Sequence, residues 1–254
     1  DEMDGTFPNH EPNPLIEENL NDLKKTVLEE KCDIGVIFDG DADRVMFVDE
    51  KGKFISPDLI IAFMGHYFLE NEKGNVLEDI RSSKAVKEYI KKLGGKVHTW
   101  RVGRAFAAPK LKEIKGIYGG ELAGHYYFRD FFYSDSGILA SLIVLNLLSK
   151  FKEQGKTMSE IISDISKYAN SGEMNFKISQ KEEAMEALKD YFTAEEEPME
   201  ILDFDGYRIE FKDWWFNARP SNTEPYLRLL AEAEDEDILK IKVQDIKTIL
   251  KKFK

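Results

Sequence analysis

A formal net charge of −12 on 254 residues argues against nucleic-acid binding as the main task, although a local basic pocket could still bind an anionic substrate. With 42% hydrophobic residues the chain can bury real cores in about two domains, or three small ones, and no apolar run reaches the roughly 18 residues of a membrane span. A single cysteine, Cys32, excludes a disulfide framework, and the acidic first residues show no signal peptide, so we expect a cytoplasmic protein without membrane partners.

Hydrophobic periodicity predicts the secondary structure of the first two thirds of the chain. A helix over 15–31 precedes two apolar strands, 32–38 and 45–48, which a short acidic loop joins, and a turn at 49–53 marks a domain edge. From there to residue 168 helices and strands alternate, which predicts an α/β domain with a layered, mixed sheet. The predicted helices are 57–71, 83–93, 105–113, 137–148 and 159–168, and the predicted strands are 75–77, 96–102 and 117–121.

The character of the sequence changes near residues 170–172. Two helices are predicted in the last third, over 181–192 and 237–253, with strand character within 201–211 and strands at 214–219 and 226–233. This pattern predicts a smaller α+β domain at the C-terminus. The chain is therefore expected to divide into residues 1–53, 54–168 and 169–254.

The loop between the first two predicted strands carries carboxylates at every second position, Asp39, Asp41 and Asp43. Clustered carboxylates repel one another unless a cation compensates them, and oxygen ligands on a short loop suit a hard ion, Mg²⁺ first and Ca²⁺ second. Gly40 is expected to let the backbone bend without a Cβ penalty. Arg44 adds a forked donor, which suits a phosphate that shares the metal.

Three other interpretations of this loop stay open. An EF-hand would need glycine at the sixth loop position, where Arg44 stands. A phosphatase with an aspartyl nucleophile would match Asp39 and Asp41, but usually has Thr or Val where this chain has Asp43. The third is a solvated acidic turn without chemistry.

A second candidate loop places glycines around Glu121 and His125. A carboxylate can accept hydrogen bonds from neighbouring sugar hydroxyls, and an imidazole can move a proton near neutral pH. The structural alternative is a strand end in which His125 makes one satisfied hydrogen bond.

The third candidate loop runs from Arg219 to Pro225 between two predicted strands. Hydroxyl and amide groups of this loop could surround a phosphate that Arg219 binds; they belong to Ser221, Asn222 and Thr223. Arg228 alternates with leucines on the next strand, and could equally be a plain exposed residue.

All three loops resemble one family, the α-D-phosphohexomutases of the phosphomannomutase/phosphoglucomutase group. Residues 39–44 are similar to its metal loop, and residues 119–128 to its sugar-binding loop, although Leu122 and Ala123 replace Met and Ser. Residues 219–225 match its phosphate-binding loop at every position, and the three loops follow in the family's order.

The resemblance implies an enzyme that interconverts hexose 1-phosphate and 6-phosphate through a phosphoserine and a hexose bisphosphate. It implies Mg²⁺ as cofactor on Asp39, Asp41 and Asp43, and a TBP-like fold for the C-terminal domain. Residues 1–53 would be the latter part of the family's second domain, 54–168 its third and 169–254 its fourth. The implied catalytic residues are Arg44 and His125, and the implied substrate-binding residues are Gly120, Glu121, Arg219, Ser221, Asn222 and Thr223.

The family's phosphoserine motif has no counterpart here, because no Ser-His pair occurs in the sequence. We therefore expect a C-terminal fragment, inactive alone, whose partners are the missing N-terminal domains and a mannose or glucose phosphate. The alternatives are a non-catalytic sugar-phosphate-binding module or a phosphoglucosamine mutase. Many relatives also carry a lysine near the position of Ala108, for which Lys110, Arg104 or Arg101 could substitute.

Overall fold

The structure is a computed structural model that describes residues 4–221 and 225–253. The chain divides into two compact units, Asp1–Ser166 and Lys167–Lys254. Within the described ranges, no helix combines the length and the apolar character needed to cross a bilayer.

The first unit contains six α-helices and seven β-strands among its described residues. The helices are α1 (Asn21–Glu29), α2 (Pro57–Phe68), α3 (Lys84–Lys92), α4 (Arg104–Glu113), α5 (Gly137–Glu153) and α6 (Met158–Ile165). The strands are β1 (Ile34–Phe38), β2 (Val45–Asp49), β3 (Phe54–Ile55), β4 (Asn75–Asp79), β5 (Lys96–Trp100), β6 (Tyr118–Gly120) and β7 (Tyr126–Phe128).

Strands β1, β2 and β3 form a three-stranded antiparallel sheet in that order. In the β1–β2 hairpin Phe38 pairs with Val45, so the acidic loop 39–44 closes this hairpin. Every residue of β2 is buried, which explains its continuous apolar run.

A second sheet has the order β5-β4-β6-β7, in which β4, β5 and β6 are parallel and β7 is antiparallel. The chain passes from β4 to β5 on one side and returns to β6 on the other side of β4. Such a reversal of strand order opens a crevice at the carboxyl ends of the strands, where α/β proteins bind ligands. Asp79 at the end of β4 and Glu121 just after β6 lie at this position.

One hydrophobic core supports both sheets of the first unit, because β2 and β3 residues pack in the same cluster as α2, α5 and β6. The boundary expected at residue 53 therefore falls within a shared core, in the β2–β3 turn, and the three-domain division stays a prediction.

The second unit contains β8 (Ala169–Asn170), β9 (Met174–Lys177), α7 (Lys181–Glu195), β10 (Glu200–Leu202), β11 (Tyr207–Glu210), β12 (Trp214–Pro220), β13 (Tyr226–Ala233) and α8 (Glu236–Leu250). Its six strands form an antiparallel sheet. Both helices pack in one core with Trp214, Phe216 and Ala218, which alternate along β12 and share a sheet face.

The mixed α/β fold with a smaller α+β C-terminal unit is confirmed. All eight α-helices among the described residues were predicted, with ends that differ by up to six residues. The sequence prediction missed β3, β7, β8 and β9, which have two to four residues each. Strands this short are held by their neighbours in the sheet and leave little periodic signal.

Candidate functional site

The acidic loop is held in shape by Arg44. Both oxygens of the Asp39 carboxylate accept hydrogen bonds from Arg44, Oδ1 from the backbone N–H at 3.1 Å and Oδ2 from Nε at 2.7 Å. Asp39, Asp41 and Asp43 each offer an oxygen atom, and these atoms all lie within 4.8 Å of one another. The three predicted metal ligands are therefore brought together in one cluster.

The charges of this cluster are only partly compensated by the protein. Burial raises the pKa of Asp39, but the hydrogen bonds and charge of Arg44 outweigh burial and hold this pKa below its ordinary value. Asp43 behaves oppositely, because burial and then the neighbouring carboxylates raise its pKa against the lowering effect of His125. Residual negative charge on oxygen atoms that lie this close suits a divalent hard cation, so the residues present fit Mg²⁺.

The sharp turn of this loop depends on residues other than the expected Gly40. Ala42, with φ of 60°, adopts the left-handed conformation, whereas Gly40 lies outside that region and has ordinary space around it. Gly137 at the start of α5 is the glycine that the loop needs. A Cβ atom there would lie 2.8 Å from the carbonyl oxygen of Ala42 and 3.0 Å from that of Arg44.

The EF-hand interpretation is wrong, because residues 45–49 form the buried strand β2 instead of a coordinating loop. The geometry also disfavours Asp39 as a nucleophile. Its side chain is 4% exposed, and both of its oxygens are bound by Arg44.

The second loop is anchored at the crevice of the four-stranded sheet. Glu121 accepts hydrogen bonds from the backbone N–H of Gly103 at 3.0 Å and from the Tyr127 hydroxyl at 2.6 Å. The next residue, Leu122, donates its N–H to the Asp79 carboxylate at 2.7 Å. Each oxygen of Glu121 keeps a further lone pair for a ligand hydroxyl. Gly120 lies beside it in β6, where a Cβ atom would come within 2.9 Å of Ile61 and Tyr126.

Glu121 is 2% exposed, and burial, followed by the charge of Asp79, raises its pKa. Between its ordinary and its raised pKa, Glu121 therefore stays protonated in the folded chain but is ionised in the unfolded chain. The free energy of unfolding of the wild type falls as pH rises through this interval. Glu121→Gln cannot ionise, so the variant avoids this loss of stability. It can keep both hydrogen bonds, because the amide oxygen can accept from the N–H of Gly103 and the amide NH₂ can donate to the Tyr127 hydroxyl. We therefore expect the free energy of unfolding of the variant, minus that of the wild type, to be larger at about pH 8 than at about pH 5.

Urea unfolding of both chains at the two pH values measures this effect, with the exposed Glu153→Gln as the matched control. An equal difference between Glu121→Gln and wild type at both pH values would contradict the prediction.

The second loop meets the acidic loop through the backbone. Arg44 and His125 form an antiparallel bridge, and Val45 donates its N–H to the carbonyl of Gly124 at 3.2 Å. Gly124 has φ of 87°, and a Cβ atom there would lie 2.5 Å from Cε of Met46. The predicted metal loop and sugar loop therefore form one site within the first unit.

Two further residues complete this site: Asp135, which sequence reasoning missed, and Arg104, which it named only as one of three possible substitutes for the family lysine. The Asp135 side chain has no exposed surface and lies 2.7 Å from Nδ1 of His125. Arg104 bridges two carboxylates, with Nη1 at 3.2 Å from Asp43 and Nε at 3.1 Å from Asp135. Burial raises the pKa of Asp135, but the contacts with His125 and Arg104 hold it below its ordinary value.

The three basic residues considered as substitutes for the family lysine differ in placement. Arg104 reaches the site, as described above. Lys110 pairs with Glu113 and lies over the ring of Trp100, while the guanidinium of Arg101 lies over Phe106. The geometry therefore favours Arg104.

The third loop belongs to the second unit. Arg219, the next-to-last residue of β12, lies directly opposite Arg228 on β13, so the two side chains share one sheet face. Arg219 lies 3.6 Å from Asp205, and Arg228 lies 3.2 Å from Glu173. Ser221 is buried, and the predicted phosphate ligands Asn222 and Thr223 fall outside the described residues.

Arg219 and Arg228 are like charges opposite each other on neighbouring strands, and each lies beside a carboxylate. The register thus puts Arg228 on the same sheet face as Arg219, which its alternation with leucines did not reveal.

Comparison with known proteins agrees with these three loops. Sequence models of phosphoglucomutase/phosphomannomutase match residues 1–52 (alpha/beta/alpha domain II), 56–168 (alpha/beta/alpha domain III) and 173–248 (C-terminal domain). The chain belongs to the α-D-phosphohexomutase family. The sequence is 39% identical over its whole length to a phosphomannomutase of Methanocaldococcus jannaschii, of which it covers 55%. It is 36% identical over 97% of its length to a phosphomannomutase of Escherichia coli K12, of which it covers 54%.

Solved structures agree on the fold. A phosphoglucomutase/phosphomannomutase family protein from Burkholderia thailandensis superimposes with a TM-score of 0.82 at 27% identity, over 98% of this chain and 53% of that protein. An N-acetylphosphoglucosamine mutase from Aspergillus fumigatus, in complex with GlcNAc-6P and magnesium, has a TM-score of 0.63 at 15% identity, over 85% of this chain and 51% of that one. The chain spans about half the length of the relatives it matches.

Proposed function

We propose that this sequence supplies the metal, sugar and distal phosphate sites of a phosphohexomutase that interconverts the 1- and 6-phosphates of mannose or glucose. The observation that carries this proposal is the backbone bridge between Arg44 and His125, which joins a carboxylate cluster to a sugar-type loop. The phosphomannomutase relatives at 36–39% identity support the same reaction and substrate class. The phosphoserine of the reaction would come from sequence beyond this chain.

Asp39, Asp41 and Asp43 would hold Mg²⁺, which supplies Lewis-acid activation of the transferring phosphate when it is bound. Arg44 is fixed by its bond to Asp39 at the edge of this cluster. Its remaining guanidinium N–H groups stabilise the charge of the transferring phosphoryl group. Arg104 adds a second guanidinium beside Asp43.

Glu121 would accept hydrogen bonds from neighbouring sugar hydroxyls, because its oxygens are oriented by Gly103 and Tyr127. His125 would accept or return the proton of the hydroxyl that exchanges its phosphate. Arg219, Ser221, Asn222 and Thr223, joined by Arg228, would hold the phosphate that does not react. Binding of that phosphate orients the sugar for phosphate transfer in both directions of the reaction.

A mutase assay tests the proposal. The full-length product of the gene and the present chain are each incubated with mannose 1-phosphate or glucose 1-phosphate, Mg²⁺ and a trace of hexose bisphosphate. Appearance of the 6-phosphate is followed by ³¹P NMR. We expect turnover by the full-length protein and none by the chain alone, since the chain lacks the phosphoserine motif.

Failure of the full-length protein to interconvert either sugar phosphate would contradict a mutase function. Binding of hexose phosphates without turnover would instead favour a non-catalytic sugar-phosphate-binding module. Turnover of glucosamine phosphate alone would move the substrate to the amino sugars.

A further inference from the structure

Asp135 is held in place by backbone contacts with β7, the strand that directly follows His125. It pairs with Tyr127 in an isolated bridge, and the following Ser136 donates its N–H to the carbonyl of Tyr126 at 3.1 Å. The turn just before it contains Phe132 and Tyr133, two consecutive aromatic residues with φ of 58° and 60°. Strain of this kind persists where the surrounding structure imposes it and is concentrated at functional sites.

Both oxygens of the Asp135 carboxylate face donors. Oδ2 lies 2.7 Å from Nδ1 of His125, and Oδ1 lies 3.1 Å from Nε of Arg104. The Arg104 guanidinium is a cation, and its charge beside Oδ1 favours the ionised form of the Asp135 carboxylate. An ionised carboxylate can only accept, so Nδ1 of His125 carries the hydrogen of the 2.7 Å bond.

The other carboxylate near His125 does not compete for this hydrogen. Oδ2 of Asp43 lies 3.9 Å from Nδ1, which is beyond hydrogen-bond distance. The ring of His125 also lies nearly parallel to that of Tyr127, with centroids 6.2 Å apart, which further restricts its rotation.

We propose that Asp135 is the positioning residue of His125: it fixes the imidazole as the Nδ1–H tautomer and so leaves the lone pair on Nε2 as the proton acceptor of the site. This inference rests on the proposed function for its chemical consequence, but its structural part does not depend on activity. Arg104 has a defined part in it, because its positive charge lies beside Oδ1 and favours the ionised carboxylate that accepts from His125.

Asp135→Asn tests the proposal with almost no change of shape. The positive charge of Arg104 favours the carbonyl oxygen of the new amide at the position of Oδ1, and this places the amide NH₂ against Nδ1 of His125. An NH₂ group can only donate, so the ring must shift its hydrogen to Nε2. We expect the tautomer ratio to change in favour of Nε2–H by about tenfold or more.

The measurement is two-bond ¹⁵N–¹H correlation NMR on the chain labelled at its four histidines, at a pH where the rings are neutral. Single His→Gln variants at His10, His66 and His98 assign the signals. Asp130→Asn, an exposed carboxylate on the same turn, is the matched control and should leave the His125 tautomer unchanged. Backbone amide spectra show that each variant is folded.

An Nε2–H tautomer in the folded wild type would overturn the proposal, and this result does not depend on any variant. An unchanged tautomer in folded Asp135→Asn would overturn it as well.

Turnover separates this inference from the proposed function. In the full-length protein, Asp135→Asn should lower kcat about 100-fold with KM nearly unchanged, since the Asp135 side chain has no exposed surface to offer a substrate. An inverted tautomer with wild-type kcat would overturn the positioning role in catalysis. If the wild type shows no mutase activity, the proposed function fails, while the tautomer experiment still decides whether Asp135 sets the state of His125.

Discussion

Asp39→Asn is expected to lower mutase turnover of the full-length protein by about 10³-fold, the largest effect among the residues of the acidic loop. The substitution keeps an oxygen that can accept the backbone N–H of Arg44, so the hairpin should remain folded. It removes the charge that compensates Arg44 and one anionic ligand of the cluster. Phosphoryl transfer is accelerated mainly by correctly positioned charges. Asp39 belongs to the cation site and also fixes the Arg44 guanidinium, so its replacement disturbs both.

Two measurements separate the causes. Mg²⁺ titration of the isolated chain, followed by NMR, should show an affinity lower by about tenfold or more in the variant. Asp33→Asn, an exposed carboxylate just before β1, is the control and should leave both Mg²⁺ affinity and turnover unchanged. Wild-type turnover in Asp39→Asn would show that the cluster does not serve the reaction.

The sequence was sufficient to predict what depends on neighbours along the chain. The strands around the acidic loop, the loop itself and the long helices follow from local periodicity and from residue types that few structures tolerate together. For the same reason the three loops with Glu121, Asp39 and Arg219 could be found by their motifs.

What could not be predicted depends on residues that are distant in sequence. Asp135 is ten residues from His125 and belongs to no recognisable pattern. Arg104 is 61 residues from Asp43, and the sequence could not choose between it, Lys110 and Arg101. The glycine that the acidic loop needs was also predicted at the wrong position. The loop turns at Ala42 and not at Gly40, and the glycine that it requires is Gly137, at the start of helix α5 far along the chain. Only packing shows that α5 and the acidic loop touch.

That contact gives the second large effect, at Gly137. Alanine is a better helix former than glycine by about 1 kcal/mol, so Gly137→Ala should favour α5 by itself. Its Cβ atom, however, would meet two carbonyl oxygens of the acidic loop at 2.8 and 3.0 Å. Helix α5 is held by buried residues along its length, including Ala140, Val144 and Leu147, whereas the loop is short and partly exposed. We therefore expect the backbone of the acidic loop, and not helix α5, to shift and relieve the close contact.

We expect Gly137→Ala to weaken Mg²⁺ binding by about tenfold and to lower turnover of the full-length protein by about 100-fold, with an overpacking cost of about 1–3 kcal/mol in unfolding free energy. Gly155→Ala, just beyond the C-terminal end of the same helix, is the matched control. Gly155 has φ of 76° and no atom within 4 Å of an added Cβ, so alanine there strains only the local backbone. It should lower the melting temperature without changing Mg²⁺ affinity, because the strain is far from the loop. Equal loss of Mg²⁺ affinity in both variants would mean that general stability, not the contact between α5 and the acidic loop, controls the metal site.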